Sequence, residues 1–339
     1  MESISQINNE QKNERKQIKK LKHEIHINNI HSEEVRCLIM LQDKRIVTGS
    51  SDKSISICSF DIFTTKWELN IHKPNAHNNS IYSLCELASN ILISSSEDKS
   101  IKLWNIDRND LQLIKILIGH KNVVNKVISL PKQKFASCSL DRTIKIWDSQ
   151  KPYQELSNLK DDDSIWSILH LNNRELLVSS CYSYPSPSIS FWNSYVYKKE
   201  HSIRGYYASI PSHIMEFPNG KIAVSDSYTI GYPVIIIDVN NYTVIKKIKV
   251  LDISYKSSLC LLDCNSFIYS YERQFVQISN ENYSVMFKSH REIGIRGMFG
   301  IVSVCEGKFI VVDNKYNGVT VISVDYGEEN KSKGNENKV

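Results

Sequence analysis

HNNSIYSLCELASNILISSSEDKSIKLWNID (residues 77–107) and HKNVVNKVISLPKQKFASCSLDRTIKIWD (residues 120–148) fall into one frame. From His77 to Trp104 and from His120 to Trp147 they align without a gap. HSEEVRCLIMLQDKRIVTGSSDKSISICSFD (31–61) joins them, with Cys58 in the Trp position. Asp52, Asp98 and Asp141 are 46 and 43 residues apart, and Trp104 and Trp147 are 43 apart. Each copy carries short β-branched and apolar runs broken by Ser, Asn, Asp and Lys, the pattern of strands and tight turns. A period of about 40–45 residues holding four such strands marks a repeated sheet.

Working outward, a fourth, weaker copy spans DDDSIWSILHL…ELLVSSCYSYPSPSISFWNS (161–194), its middle turn lengthened by Tyr182 to Pro187. Beyond it no Trp–Asp pair remains, and strand pattern alone gives units at 213–239, 258–288 and 299–325. Each unit reads as strands a to d. The outermost, d, is expected at Trp67–Ile71, Leu111–Leu117, Tyr153–Leu159, Lys198–Ile203, Tyr242–Val250 and Ser284–Lys288. The seventh unit stops after strand c at Asp325. His23 to Ile30, with alternating Ile25 and Ile27, stands unassigned before the first unit. Pairing it with the last unit closes the ring and removes the exposed strand edges that invite aggregation. The expected fold is therefore all-β: a seven-bladed β-propeller of four-stranded antiparallel blades, closed by an N-terminal strand completing the last blade. The expected division is a polar, basic segment at 1–22, a propeller at 23–326 and a disordered polar tail at 327–339. Ile18, Leu21 and Ile25 form a weak helical stripe, so 1–22 is expected as a short helix or as disorder.

Composition narrows the chemistry. A chain of 339 residues buries about three quarters of its unfolded surface without staples. The net charge of +5 is mild and interspersed, which gives little support to nucleic-acid or phosphoinositide binding. The eight cysteines sit mostly in apolar runs, where a thiol behaves as a small hydrophobe. Cys260 and Cys264 are the one close pair, and no second pair completes a zinc site. No metal and no cofactor are expected. No apolar run reaches the roughly 20 residues that span a bilayer, and the first residues lack an apolar signal core. An intracellular, cytoplasmic location follows as the expectation, with the nucleus as the alternative.

Gly119-His120 opening a unit, Asp141 ahead of strand c, and Trp147-Asp148 closing it resemble the marks of WD-repeat β-propeller proteins. Trp104-Asn105 and Trp192-Asn193 are variants of the closing pair. The resemblance implies a buried structural network in each regular blade: His77, Ser94, Asp98 and Trp104, then His120, Ser137, Asp141 and Trp147. The first unit supplies His31, Thr48 and Asp52, and the fourth has Asp161 at the His position. A His, Ser and Asp grouping also suggests a hydrolytic triad, but its recurrence at blade period marks it as structural.

The resemblance further implies that the d–a and b–c loops share one face, where a peptide binds at the channel mouth. Carried over, the residues at the start of each strand a are Arg36, Tyr82, Asn125, Trp166, Ser212, Ser257 and Phe299. Those before the turn Asp are Ser51, Glu97 and Leu140. Arg, Tyr and Trp are enriched among binding hot spots because they join area to a polar handle. One Arg and Lys126 stand beside acidic Glu34, Glu97 and Asp161 to Asp163, which argues against an Arg cluster that reads phosphate. The expected function is a non-enzymatic protein–protein interaction scaffold or adaptor: a monomeric propeller inside a larger complex. The alternatives are a ubiquitin-ligase substrate receptor or a subunit like G-protein β. A propeller-based enzyme or a nucleic-acid binder ranks below these.

Overall fold

In a computed structural model the chain forms seven four-stranded antiparallel sheets. The structure describes residues 18–61, 64, 66–87, 90–107, 110–171, 174–182, 186–205, 210–227, 231–250, 257–262, 266–271, 274–289, 300–305, 308–314 and 317–325. Six blades are built from consecutive strands in the order a-b-c-d. Blade 1 holds Val35–Met40, Ile46–Ser50, Ile55–Asp61 and Lys66–Lys73. Blade 2 holds Ile81–Leu87, Ile91–Ser96, Ser100–Ile106 and Leu111–Ile118. Blade 3 holds Val124–Leu130, Lys134–Ser139, Thr143–Asp148 and Glu155–Lys160. Blade 4 holds Ser164–Leu171, Leu176–Tyr182, Ser188–Asn193 and Lys198–Arg204. Blade 5 holds Ile210–Glu216, Ile222–Ser227, Gly231–Asp238 and Thr243–Val250. Blade 6 holds Ser257–Leu261, Ser266–Tyr271, Gln274–Ser279 and Val285–Lys288.

Blade 7 joins both ends of the chain. Its first three strands are Ile301–Cys305, Lys308–Asp313 and Gly318–Asp325, and its fourth is Lys20–Ile27. The register runs antiparallel from Lys20 opposite Asp325 to Ile27 opposite Val319. This closing strand begins three residues before the expected His23 and ends at Ile27. The physical reason is visible at both ends. Ile18 and Leu21 pack into the apolar layer between blades 6 and 7, and the Ile18 N–H donates to Gln277 Oε1 at 2.8 Å. At the other end Ile30 enters the layer between blades 7 and 1, which pulls the chain out of the sheet. The helical stripe expected through Leu21 is therefore strand from Lys20 onward. Residues 1–17 and the expected tail at 327–339 lie outside the described residues.

The core is divided among seven interfaces. Each buried cluster combines two neighbouring blades, and one cluster joins blade 7 to blade 1. The a strands likewise touch their neighbours in turn around the ring, and the first meets the last. Strands b and c are buried on both faces, so they read as near-continuous apolar or small residues rather than alternating ones. Leu92 faces the layer shared with blade 1, while Ile93 faces the layer shared with blade 3. The run Val234–Ile237 is fully buried for the same reason.

A second repeat appears on the c–d turns. Tyr153, Tyr197, Tyr242 and Tyr283 all adopt left-handed backbone, with φ between 55° and 58°. Each packs back on the preceding blade. Tyr153 joins the layer of blades 2 and 3, and Tyr197 accepts from Lys134 Nζ at 2.8 Å. Tyr242 stacks on His201 at 4.6 Å, and Tyr283 meets Phe217 at 6.0 Å.

Candidate functional site

The loops between blades are pinned by buried hydrogen-bonded sets. In blade 2, His77 Nδ1 donates to Asp98 Oδ2 at 2.9 Å, and the Trp104 indole N–H donates to Ser94 Oγ at 2.8 Å. Ser94 Oγ lies 2.7 Å from His77 Nε2. Blade 3 repeats this with His120 and Asp141 at 2.9 Å, His120 and Ser137 at 2.8 Å, and Trp147 to Ser137 at 2.8 Å. A carboxylate only accepts, so the imidazole must donate from Nδ1. Burial favours neutral His77 against the pull of Asp98 and holds it below the ordinary imidazole value. Nε2 then accepts the Ser94 hydroxyl proton, and one directional chain runs Trp104 to Ser94 to His77 to Asp98.

Burial alone would raise the carboxyls of Asp52, Asp98 and Asp141. The hydrogen bonds from His31, His77 and His120 and from the turn hydroxyls outweigh it, and all three are held well below the ordinary carboxylate value. Each Asp also fixes the loop that leads into its own blade by accepting a backbone N–H from Ser32, Asn78 or Lys121, at 2.8 to 2.9 Å.

With the loops fixed, the a strands present their first side chains in a common way. Strand a carries one extra residue against strand b in each of blades 1 to 5. The extra residues are Arg36, Tyr82, Asn125, Trp166 and Ser212. A bulge bends its strand and re-aims the unpaired side chain. The b–c turns are tied to the same point. Ser51, Glu97 and Leu140 each donate a backbone N–H to the residue before their blade's strand a: Glu34, Ser80 and Val123, at 2.9 to 3.1 Å.

The family model described as WD domain, G-beta repeat matches residues 69–105 and 111–148. Those segments carry the complete sets of blades 2 and 3, from His77 to Trp104 and from His120 to Trp147. The chain is a β-propeller that carries WD repeats. The solved WD40 β-propeller domain of Doa1 has the same fold, with a TM-score of 0.70 at 17% identity, over 91% of this chain and 96% of that one. No curated protein matches the sequence.

In this WD-repeat propeller the expected mouth residues separate into groups. Arg36, Ser51 and Tyr82 come together: Arg36 Nε donates to Ser51 Oγ at 2.7 Å, and its guanidinium lies 5.5 Å from the Tyr82 ring centre. Glu34 pairs with Arg36 at 3.5 Å. Asn125 turns inward instead, is buried, and donates from Nδ2 to the Ile165 carbonyl at 2.9 Å, bridging blades 3 and 4. It faces the neighbouring blade because its short amide reaches that carbonyl. Trp166 is half-buried on its bulge. Ser212 bonds the Ser225 carbonyl at 3.3 Å. Ser257 opens strand a of blade 6, but its pairing with strand b continues without a bulge. Phe299 lies outside the described residues.

The irregular blades keep parts of the network. In blade 1, His31 bonds Asp52 at 3.2 Å and Thr48 at 2.8 Å, while buried Cys58 fills the indole's place. In blade 4, Trp192 still donates to Ser179 at 2.9 Å. Asp161 stands where the His is expected and donates its backbone N–H to Arg142, as His77 does to Lys53. Its carboxylate accepts from Lys199 Nζ at 2.7 Å and from the Cys181 thiol at 3.3 Å. Lys199 was missed by sequence reasoning, because it lies on strand d, away from the repeat's motif positions. Ser94 and Ser137 are fully buried and bonded on both sides, which leaves neither hydroxyl open as a nucleophile.

Proposed function

We propose that this WD-repeat propeller is a non-enzymatic interaction scaffold that docks a peptide segment of a partner protein across the channel mouth. Propellers of this family generally mediate protein–protein interactions, which supports the broad reading. One observation carries the specific one. Five consecutive blades place a bulge at the same point of strand a, and three of the bulged residues are Arg36, Tyr82 and Trp166. These side chains offer area and hydrogen-bonding tips at low ordering cost, the chemistry of a hot spot. Arg36 is preorganised on Ser51 and Tyr82, so binding has less rotamer freedom to remove. Cys37, Cys58, Cys85, Cys138, Cys181 and Cys260 are free thiols, which supports the intracellular placement.

The test is quantitative affinity purification of the tagged chain from its own cells, compared with a triple variant Arg36→Ala, Tyr82→Ala and Trp166→Ala. Hot-spot truncations cost about 2 kcal/mol each, so the main retained proteins are expected to fall by more than about tenfold. The melting temperature should stay near that of the unaltered chain. Retention of the same proteins in the same amounts would overturn the proposal. The identity of what is retained separates a ligase receptor from a subunit like G-protein β.

A further inference from the structure

The face opposite the mouth carries a second feature. The a–b and c–d turns lie there, since strands alternate in direction. Between blades 3 and 4 these turns enclose a groove of about 660 Å³, a volume in the range that holds a ligand. Its lining includes Lys132 from the a–b turn of blade 3, Lys134 at the start of that blade's strand b, and Arg174 from the a–b turn of blade 4. Tyr195 and Tyr197 come from the c–d turn of blade 4.

The charge on this groove is unbalanced. Lys132 Nζ sits 4.9 Å from the Tyr195 ring centre, Lys134 Nζ donates to the Tyr197 hydroxyl at 2.8 Å, and Arg174 Nη2 donates to Asn240 Oδ1 at 2.6 Å. All three partners are uncharged. Among the described residues of the lining, Glu175 is the one carboxylate. Beside the cations, Tyr195 is 64% exposed and Val196 61% exposed. Their turn is held in place, because both backbone N–H groups donate to Asn193 Oδ1 at 3.0 Å. A rigid turn that shows an aromatic and a β-branched residue to solvent next to three cations has the make-up of an interface: an apolar anchor point with a charged rim.

We infer that this groove is a second docking site, and that it takes an acidic peptide segment of a partner protein with an apolar side chain seated against Tyr195 and Val196. The carboxylates of the segment replace the uncharged partners of Lys132 and Arg174, and the apolar residue covers surface now in contact with water. The two sites face opposite ways, so one propeller can hold two partners at once.

The test uses the full-length chain and two fluorescent peptide pools of about 12 residues. One pool has glutamate flanks around a randomised Leu, Phe or Tyr centre, and the other has lysine flanks. By fluorescence polarisation the chain is expected to prefer the glutamate pool by about tenfold, with the preference shrinking as salt rises. The double variant Lys132→Glu and Arg174→Glu is expected to reverse the preference. Tyr195→Ala, at an exposed turn position, should weaken binding about fivefold with an unchanged melting temperature. Arg36→Ala with Tyr82→Ala should leave the groove's binding intact, which separates this site from the mouth. Equal binding of both pools, binding of neither, or a glutamate preference that survives charge reversal would overturn the inference.

Discussion

Replacing Gly318 by valine is expected to open the ring. Gly318 begins the strand that pairs with the N-terminal closing strand. A Cβ there would overlap the carbonyl oxygen of Ile27 and approach its carbonyl carbon to 2.9 Å. Both are backbone atoms, so no rotamer change relieves the clash, and the closing strand must lift. Overpacking of this kind costs about 1–3 kcal/mol, and losing the seam adds to it. At about 2–4 °C per kcal/mol, a fall of roughly 5–10 °C in melting temperature is expected by calorimetry. Gly49→Ala provides the comparison. Its Cβ would come to 2.8 Å from Cys37 Sγ and Ile81 Cγ2, a less severe overlap than that with the Ile27 oxygen and with side-chain rather than backbone atoms, so the loss should be smaller. An equal melting temperature for Gly318→Val and the unaltered chain would show that the seam does not bear on stability.

Asp141→Ala is expected to be nearly as damaging. The carboxylate accepts from His120 Nδ1 at 2.9 Å, from the Lys121 N–H at 2.8 Å, and from the Thr143 N–H and hydroxyl at 3.0 and 2.6 Å. Alanine leaves those donors unmatched at a mostly buried site, a loss of about 3 kcal/mol by urea denaturation. Asp141→Asn should recover part of it by accepting with one oxygen. The same network sets the response to acid. Asp52, Asp98 and Asp141 are depressed in the folded chain, so their contribution is present above the unfolded carboxyl value of about 3.9 and is lost as pH falls below it. His77 is held neutral, so the unfolded chain takes up its proton first, and stability also declines as pH falls through about 6.5. Both effects carry the same sign. Stability should be level from about pH 8 to 6.5, decline gently to about 4.5, and fall steeply below that. In Asp141→Ala the steep part should be shallower, because one of the three network carboxyls no longer contributes. An acid branch of the same slope in both proteins would contradict the assignment.

Blades 1 to 4 were legible because their information is local. The spacing from His77 through Ser94 and Asp98 to Trp104 is fixed by a hydrogen-bonded set within one blade, so the sequence displays it directly. Blades 5 and 6 keep their fold by stacking, which asks only for apolar runs such as Val234–Ile237 and leaves the repeat faint. A better marker was present in the tyrosines of the c–d turns. Tyr153, Tyr197, Tyr242 and Tyr283 stand 44, 45 and 41 residues apart, carrying the blade period past the last Trp–Asp variant. The closing strand was legible as a missing partner. Its start was not, because the depth to which Ile18 is buried depends on Gln277, more than 250 residues away. At the mouth, alignment found the bulged positions, yet the inward turn of Asn125 depends on the Ile165 carbonyl of the next blade, a contact no single repeat contains.

Seven blades zipped shut by the first described strand hold the docking face in shape, and hydrogen exchange followed by mass spectrometry reads that zip directly. The amides of Lys20–Ile27 are expected to exchange as slowly as those of Gly318–Asp325, and both should speed up together in Gly318→Val. Rapid exchange across 20–27 beside a protected 318–325 would mean that the ring is not closed by the N-terminal strand.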